Sequence, residues 1–533
     1  MADNDDLPSE VDVVVLGTGL QESILAAACA RAGLSVLHVD RNPFYGGCWG
    51  SGFNFRSLED WLTAVENTTE ESPCSYEPSE EELVVPAAAS QSTIRNLVLK
   101  SDITTEDNPE NKENASKVVV SARRFNMDLI PKLLLSDGPM VKILRQSEAS
   151  KYCEFKCVDR FLCLEADVSK DPLKMFKVPC TKSEISFTRM LSPIEKRMLY
   201  KFLDFCLTWS TNRGDVDKKF PEYKWEDYAE KPFTEFLDTV RIKGVLKNIV
   251  VEIICILKQE ATTLEGLQAT SDFLGSMGHL GNLPTPFVYT LYGSSDLEQS
   301  FNRLCAVYGG VYCLDRPCEA FVLDKTTNKC VAVISGGQKI QCKHVITSQD
   351  YIHKKFDRAP EKTLMKRCML LADGSVVPSE EDHITLMGLN RLHPAVRFLE
   401  TGYSAGVTSK GFYFAHLTSQ GSESHSATFS PIVERLYHGE ENRLEGDTRP
   451  RVCWSLMFDV VQRSFESPAE NIGVVPAPDF APDFSSVISS AEEMFQRYWP
   501  MLDFLPRKAH TTSDESDEEL AQEVVEEQTA ETP

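Results

Sequence analysis

A glycine-containing turn near the amino terminus has the residue types that bind the phosphates of a dinucleotide. Residues 17–22 read Gly-Thr-Gly-Leu-Gln-Glu, and Asp40 follows at the end of a strand-like run. The expected pattern is G-x-G-x-x-G before a helix, with a later acidic residue that binds a ribose. Gly17, Gly19 and Asp40 match this pattern, whereas Glu22 stands where the third glycine is expected.

Glu22 changes what this turn can bind. A pyrophosphate is held by backbone N–H groups at the helix N-terminus, with help from the helix dipole. A carboxylate in that first turn competes for the same donors, repels phosphate and fills space that a glycine leaves open. We therefore interpret Gly17, Gly19, Glu22 and Asp40 as a degenerate dinucleotide loop, and we expect no bound cofactor. The alternative is that Glu22 turns out to solvent and a flavin still binds.

The rest of the sequence contains no clear catalytic or metal-binding set. Cys153 and Cys157 are four residues apart, but no second Cys or His pair follows at zinc spacing. The segment from Asp40 to Gly47 is similar to the flavin amine-oxidase pattern, in which Arg usually follows a Gly-Gly pair, but Cys48 follows here. We predict no catalytic residue and no metal ligand.

The elements that must position the glycine turn form a βαβ unit. Residues 11–16 and 34–39 are β-branched runs, and the small-residue stretch 23–32 between them predicts a helix that Gly33 ends. A βαβ unit implies a parallel sheet. The predicted fold class is α/β, with a Rossmann-like FAD/NAD(P)-binding-type domain, mixed sheets and an inserted all-helical domain.

Composition and helix signals divide the remaining chain. Ser192-Pro193-Ile194-Glu195 predicts a helix start, because it combines an N-cap serine, a first-turn proline and a capping box. Acidic, proline-containing stretches cannot bury enough surface to offset their ordering entropy. The predicted divisions are 1–65 as the first part of the α/β domain, 66–117 as an acidic, mostly disordered insertion with a brief ordered piece near 94–99, 118–127 as the return to the α/β domain, 128–278 as the helical domain, 279–508 as the remainder of the α/β domain, and 509–533 as a disordered acidic tail.

The charge and hydropathy of the chain exclude several classes of function. The formal net charge is -25, so the chain repels phosphate backbones and we expect no nucleic-acid binding. The sequence has no run of 18 apolar residues that would span a membrane, and its amino terminus lacks the basic and apolar regions of a signal peptide. We expect a cytosolic protein with reduced cysteines.

Three long motifs follow one another along the chain. The first comprises residues 16–20 and 40–47, the second residues 126–132, and the third residues 291–293 followed by 301–312. In this order they resemble the motifs of the Rab GDP-dissociation inhibitor and Rab escort protein superfamily. Within it, the acidic insertion between the first and second motifs, the stretch 121–126 and the acidic C-terminus favour the escort branch.

The resemblance implies a binding function without bond chemistry. Escort proteins bind newly made, GDP-bound Rab GTPases and present them to the α/β heterodimer of Rab geranylgeranyl transferase, which prenylates the Rab. They then shield the geranylgeranyl group and deliver the Rab to membranes. One alternative is a Rab GDP-dissociation inhibitor that recycles prenylated Rabs without engaging the transferase. A second, of another class, is an FAD-dependent oxidoreductase.

The resemblance also implies which residues meet each partner. A soluble carrier of a C20 chain must supply an apolar cleft, because each exposed CH₂ costs about 0.8 kcal/mol. Asp296 departs from the family, where Glu is usual, as does Glu298 in place of Pro, and His279 stands where Arg is usual. The implied residues are Tyr45, Asp296, Arg303, Val311 and Tyr312 for the Rab-binding platform, and Phe273 and His279 for the transferase contact, with a buried core position as the alternative for Phe273. In the helical region, Leu134, Val141 and Leu144 are the candidates for the lipid cleft, with ordinary helical core as the alternative for each of them.

Overall fold

The computed structural model describes most of the chain with side chains. The predicted tail 509–533, and residues 67–73 and 102–123 of the predicted insertion and return segment, lie outside the described residues. The described residues are 7–50, 52–66, 74–101, 124–164, 173–256, 261–389, 396–421, 423–439 and 447–507.

The first sheet contains the predicted βαβ unit. Strands β1 (Glu10–Leu16) and β2 (Val36–Val39) are parallel, and helix α1 (Leu20–Arg31) connects them. Most of β1 is buried, as expected for a strand in a parallel sheet covered on both faces. The sheet continues from β1 through β13 (Gln338–Ser348), β12 (Cys330–Ser335) and β11 (Cys318–Asp324) to β3 (Glu82–Pro86), while β10 (Val311–Cys313) flanks β2 and β19 (Ile472–Val475) pairs with β13.

The second sheet is mostly antiparallel, and a small three-stranded sheet lies beside it. Together with the parallel strand pairs of the first sheet, these strands confirm the predicted α/β class with mixed sheets. The second sheet runs β4 (Ile94–Ser101), β18 (Val452–Phe465), β14 (Asp357–Ala372), β17 (Tyr413–Ser419), β16 (Val396–Thr401), β15 (Thr385–Gly388), β7 (Arg160–Leu164) and β8 (Met175–Lys177), and the small sheet runs β5 (Leu134–Leu135), β9 (Phe287–Thr290) and β6 (Phe155–Cys157).

The helices cover the sheets and form a separate helical part. The predicted start at Ser192 is confirmed, because Ser192 and Glu195 form a capping box there. The further helices are α2 (Phe55–Glu66), α3 (Pro139–Ser147), α4 (Lys182–Phe187), α5 (Pro193–Thr211), α6 (Arg213–Lys219), α7 (Phe233–Thr239), α8 (Val245–Asn248) with a π-helix at Ile249–Ile254, α9 (Thr263–Ser276), α10 (Ser295–Val307), α11 (His425–Leu436) and α12 (Ser485–Tyr498).

The prediction of a mostly disordered insertion is wrong for residues 82–86, which form β3, whereas the brief ordered piece predicted near 94–99 is confirmed as β4. Strand β3 pairs with β11 at one edge of the first sheet, and β4 pairs with β18 at one edge of the second. Composition averaged over the insertion hides two short aliphatic runs, 83–85 and 97–99, that suit edge strands. The insertion therefore extends both sheets.

The prediction of a wholly helical domain over 128–278 is wrong for its first third. Strands β5, β6, β7 and β8 lie between residues 134 and 177, and β7 joins β15 in the second sheet. A short buried apolar run such as 160–164 cannot be assigned to helix or strand from periodicity alone. Helices dominate from Lys182 to Ser276.

Candidate functional site

The glycine loop is closed by the side chain of Glu22. This residue lies in the first turn of α1 and is 2% exposed. A Cβ placed on Gly19 would lie 2.6 Å from Glu22 Oε2, so the carboxyl group folds back over the loop. The alternative in which Glu22 turns out to solvent is wrong. The carboxyl group occupies the space through which a pyrophosphate would approach the backbone.

Burial also controls the protonation of Glu22. Loss of solvation, and to a smaller extent the negative charges of Asp350 and Asp40, raises the pKa of the Glu22 carboxyl to about 8. Among the described residues, Glu22 Oε2 has no hydrogen-bond partner. The neutral acid is therefore the form that this closed loop favours at pH 7.

Asp40 already has internal partners at the position expected to bind a ribose. Its Oδ2 accepts hydrogen bonds from the Thr18 backbone N–H and the Thr18 hydroxyl, both at 2.7 Å. Its Oδ1 accepts from the Asn42 backbone N–H at 2.8 Å and the Asn42 side-chain amide at 2.9 Å. These four bonds use the acceptor sites that a ribose hydroxyl would need.

The cavity that remains at this loop is small. Its volume is about 70 Å³, whereas pockets for small molecules and cofactors span about 300–1,000 Å³. Gly17, Glu22, Asp40 and Tyr351 are among the residues that line it. The residues present do not fit a dinucleotide or a flavin. Elsewhere in the described part of the chain, no group of three or more His, Cys, Asp or Glu side chains is placed to hold a metal ion.

The five predicted platform residues lie on neighbouring elements. Asp296 and Arg303 are about two turns apart on α10 and share one face. Val311 is exposed on β10, the edge strand beside β2. The side chains of Tyr45 and Tyr312 are close enough to interact electrostatically, so the loop after β2 adjoins this strand. Their role in binding a partner stays a prediction.

Two platform side chains are held in place by internal contacts. The Arg303 guanidinium lies 4.3 Å from the centre of the Tyr152 ring. Tyr312 packs against the His38 ring at 4.6 Å, and its hydroxyl donates a hydrogen bond to Asn302 Oδ1 at 3.0 Å. Side chains that are already restricted lose less entropy when a partner binds.

Asp296 is a half-buried acid at the start of α10. Burial, followed by the negative charges of Asp128 and Glu154, raises the pKa of its carboxyl to about 6. A glutamate would extend further from the helix, so the shorter side chain keeps its charge closer to these two acids. The partner contact that the resemblance implies for Asp296 stays a prediction.

Asp128 positions the start of α10, and the sequence analysis did not identify it. Its Oδ2 accepts a hydrogen bond from the Ser294 backbone N–H at 2.6 Å, and its Oδ1 accepts one from the Gly52 N–H at 3.3 Å. A Cβ on Gly293 would lie 2.8 Å from Asp128 Oδ1, so the turn requires glycine there. Burial raises the pKa of the Asp128 carboxyl to about 6. In the sequence, the place of Asp128 in the second motif indicates that this residue matters.

The two residues predicted to contact the transferase differ in exposure. Phe273 is buried in α9, and its ring packs edge-on against Phe287 at 6.1 Å. His279 is exposed just after α9, where its Nε2 lies 3.3 Å from Asp137 Oδ1. The structure thus gives Phe273 a core role and presents no exposed ring at that position.

A more exposed apolar pair lies elsewhere in the helical part. Phe187 at the end of α4 is 83% exposed, and Ile194 at the start of α5 is 72% exposed. Arg189 and Arg197 are exposed beside them. We call these four residues the helical patch. Helical periodicity alone does not identify it, because an apolar residue near a helix end usually packs inward.

The residues predicted to form the lipid cleft are packed in the core. Leu134, Val141 and Leu144 are all buried, and Leu134 pairs with Val288 of β9 in the small sheet. No open cleft exists at these three side chains. Within the described residues, no helix is long and apolar enough to cross a membrane.

Comparisons with known proteins agree over nearly the whole chain. The family model described as GDP dissociation inhibitor matches residues 7–72 and 103–424. Rab proteins geranylgeranyltransferase component A 1 of Caenorhabditis elegans is 36% identical, covering 94% of this chain and 95% of that protein. Component A 2 of Homo sapiens is 30% identical, covering 95% and 93%. A solved Rab GDI from Plasmodium falciparum shares the fold, with a TM-score of 0.64 at 22% identity over 93% of this chain and 100% of that chain.

Proposed function

Because this chain belongs to the GDP dissociation inhibitor family, we propose that it is an accessory chaperone for Rab GTPases. It binds unprenylated, GDP-bound Rabs and presents them to the α/β heterodimer of Rab geranylgeranyl transferase. The observation that carries this proposal is the 36% identity to a geranylgeranyltransferase component A over 94% of the chain. The chain itself supplies binding surfaces and performs no bond chemistry.

The escort function is favoured over recycling by an inhibitor. The curated relatives from Caenorhabditis elegans and Homo sapiens are named as components of the transferase and match this chain almost end to end. The solved inhibitor supports the shared fold alone. The two functions differ in one activity, because only an escort engages the transferase.

The helical patch is our candidate for the transferase contact. Protein interfaces are built around exposed aromatic and Arg side chains, and Phe187, Ile194 and Arg197 supply these types in one place. The patch lies near the beginning of the helical part, whereas the resemblance implies a contact at the end of that part. Since Phe273 is buried, Phe187 replaces it in our proposal.

Lipid binding at the predicted cleft residues requires α3 to move. Leu134 and Leu144 are packed against their neighbours, so a geranylgeranyl group reaches them only if α3 separates from the core. Burial of the lipid stabilises the complex by about 0.8 kcal/mol per CH₂ group, and this offsets the packing that α3 loses. We propose that α3 moves away from the core when the lipid binds.

Reconstituted prenylation tests this function. Purified Rab, the transferase and labelled geranylgeranyl diphosphate are mixed with wild type or with Phe187→Ala. We expect label in the Rab with wild type, and a rate at least about tenfold lower with the variant. Leu207→Ala is the control, because Leu207 is exposed on α5 but lies roughly 220° round the helix from Ile194.

The outcomes separate the two functions. If wild type binds Rab–GDP but no label enters the Rab, the chain acts as an inhibitor. If Phe187→Ala and Leu207→Ala both prenylate like wild type, the escort function stands and the helical patch is not the contact.

An oxidoreductase function has little support from the site. Glu22 fills the phosphate position and Asp40 is already bonded internally. Purified protein should show no flavin absorbance, and added FAD should give no binding heat. A yellow protein with stoichiometric flavin would reverse this assignment.

We also propose that the chain works in the cytosol and reaches membranes only while it delivers a Rab. The acidic composition, with a net charge of -25, gives no attraction to anionic lipid head groups. Cell fractionation tests this: the protein should be in the soluble fraction, and a predominantly membrane-bound pool would contradict the proposal.

A further inference from the structure

Tyr292 combines an exposed ring with a strained backbone. Its φ is 64°, a left-handed conformation that is unfavourable for a bulky residue. Its side chain is nevertheless 48% exposed, so the strain does not serve to bury the ring in the core. Residues held in such conformations cluster at functional sites, where surrounding contacts maintain them.

Contacts from the second half of the chain hold Tyr292 in place. Its backbone N–H donates a hydrogen bond to the Ala405 carbonyl at 3.0 Å. A Cβ on Gly406 would lie 2.6 Å from Tyr292 Cδ1, so the ring rests against the bare backbone of that glycine. The turn 402–406 therefore sets the position of the Tyr292 ring.

The same turn presents a second exposed tyrosine. Tyr403 is 55% exposed and begins a single helical turn, Tyr403–Ala405. Asp382 Oδ2 accepts a hydrogen bond from the Ser404 N–H at 2.5 Å, which fixes the turn. A Cβ on Gly402 would lie 2.5 Å from Asp382 Oδ1, so this support also needs a glycine.

We propose that Tyr292 and Tyr403 form an aromatic shelf that extends the platform and contacts the bound Rab GTPase. This inference rests on the proposed function. The shelf adjoins the platform, because the turn at Tyr292 and Gly293 leads directly into α10, whose second residue is Asp296. Tyrosine offers a large apolar face and a polar tip, the combination enriched in protein interfaces.

The substitution Tyr292→Gly distinguishes a role of the ring in binding the Rab from a role in the stability of the fold. Glycine adopts a φ of 64° without strain, so removal of the ring should leave the melting temperature unchanged or raise it. We expect the Kd for Rab–GDP, measured by calorimetry without transferase, to rise about tenfold. Tyr403→Ala should have a similar effect. Leu207→Ala is the matched control, since Leu207 is 44% exposed, close to the exposure of Tyr292, but lies on α5 in the helical part.

Each result decides a different question. If both tyrosine variants bind within about twofold of wild type while Arg303→Ala binds weakly, the shelf is wrong and the proposed function stands. If wild type itself does not bind Rab–GDP, the proposed function fails. If Tyr292→Gly lowers the melting temperature, Tyr403→Ala decides: unchanged affinity overturns the shelf, and weaker binding supports it.

Discussion

The glycine loop and the platform lie in the same α/β half of the molecule, but one is closed and the other is open. Glu22 and Asp40 are buried at the loop, whereas Arg303 and Val311 reach solvent. Helix α1 begins at the closed loop and packs against α10, which carries part of the platform. A single helix thus separates a filled ligand position from an exposed protein surface.

This difference shows how a dinucleotide-type fold can support a binding function without a cofactor. The loop keeps the glycines that make the turn. Its acids serve the fold itself, because Asp40 accepts hydrogen bonds from Thr18 and Asn42, and Glu22 covers Gly19. The platform instead offers Arg, Tyr and Val side chains that internal contacts hold in place. In the proposed function, the binding surface lies on the outside of the fold and not at the glycine loop.

The largest expected effect on Rab binding comes from a substitution in the exposed platform. Arg303→Ala removes an exposed cation and should weaken Rab–GDP binding by about 2 kcal/mol, roughly thirtyfold in Kd. Arg213→Ala is the control, because Arg213 is exposed and stacks over Trp209 at 4.5 Å in the helical part. Titration calorimetry measures both. Equal losses for the two variants would mean that the platform is not the binding surface.

A smaller effect is expected where the platform is anchored. Asp128→Ala leaves the Ser294 and Gly52 N–H groups without their acceptor, so the free energy of unfolding should fall by about 1–2 kcal/mol. Asp128→Asn keeps one side-chain oxygen as an acceptor and should lose less. Urea unfolding gives both values. Wild-type stability in Asp128→Ala would show that these hydrogen bonds do not position α10.

The smallest expected effect on Rab binding is at the closed loop, where the stability of the fold depends on pH instead. The pKa of Glu22 is about 8 in the folded protein and about 4.5 as its ordinary value, so folding favours the protonated acid. Its contribution to stability is therefore complete below pH 4.5 and is lost as the pH rises through 8. Glu22→Gln cannot ionise, so at pH 8 it should be more stable than wild type by on the order of 4 kcal/mol.

Urea unfolding at pH 5 and pH 8 measures this difference. The stability of wild type relative to Glu22→Gln should fall between the two pH values. The same difference at both pH values would mean that Glu22 titrates normally and lies in solvent.

Local sequence patterns predicted the helices and strands whose formation depends mainly on neighbouring residues. The βαβ unit and the helix start at Ser192 are confirmed, because periodicity, glycine turns and capping boxes act over a few residues. The match to the long motifs also identified the family. Platform residues were identified through those motifs, and composition or spacing alone does not reveal them.

Features that depend on the distant packing of the chain could not be predicted in this way. Asp128 joins Gly52 to Ser294, residues far apart in the sequence. Strands β3 and β4 form only because sheet edges are available to pair with them. The exposure of Phe187 and the burial of Phe273 likewise depend on how the helices pack.

One prenylation experiment tests most directly whether function lies on the surface and not in the closed loop. Wild type, Glu22→Gln and Arg303→Ala are each added to Rab, Rab geranylgeranyl transferase and labelled geranylgeranyl diphosphate. We predict that wild type and Glu22→Gln support equal labelling of the Rab, and that Arg303→Ala supports little. Full labelling with Arg303→Ala, or loss of labelling with Glu22→Gln, would contradict this account.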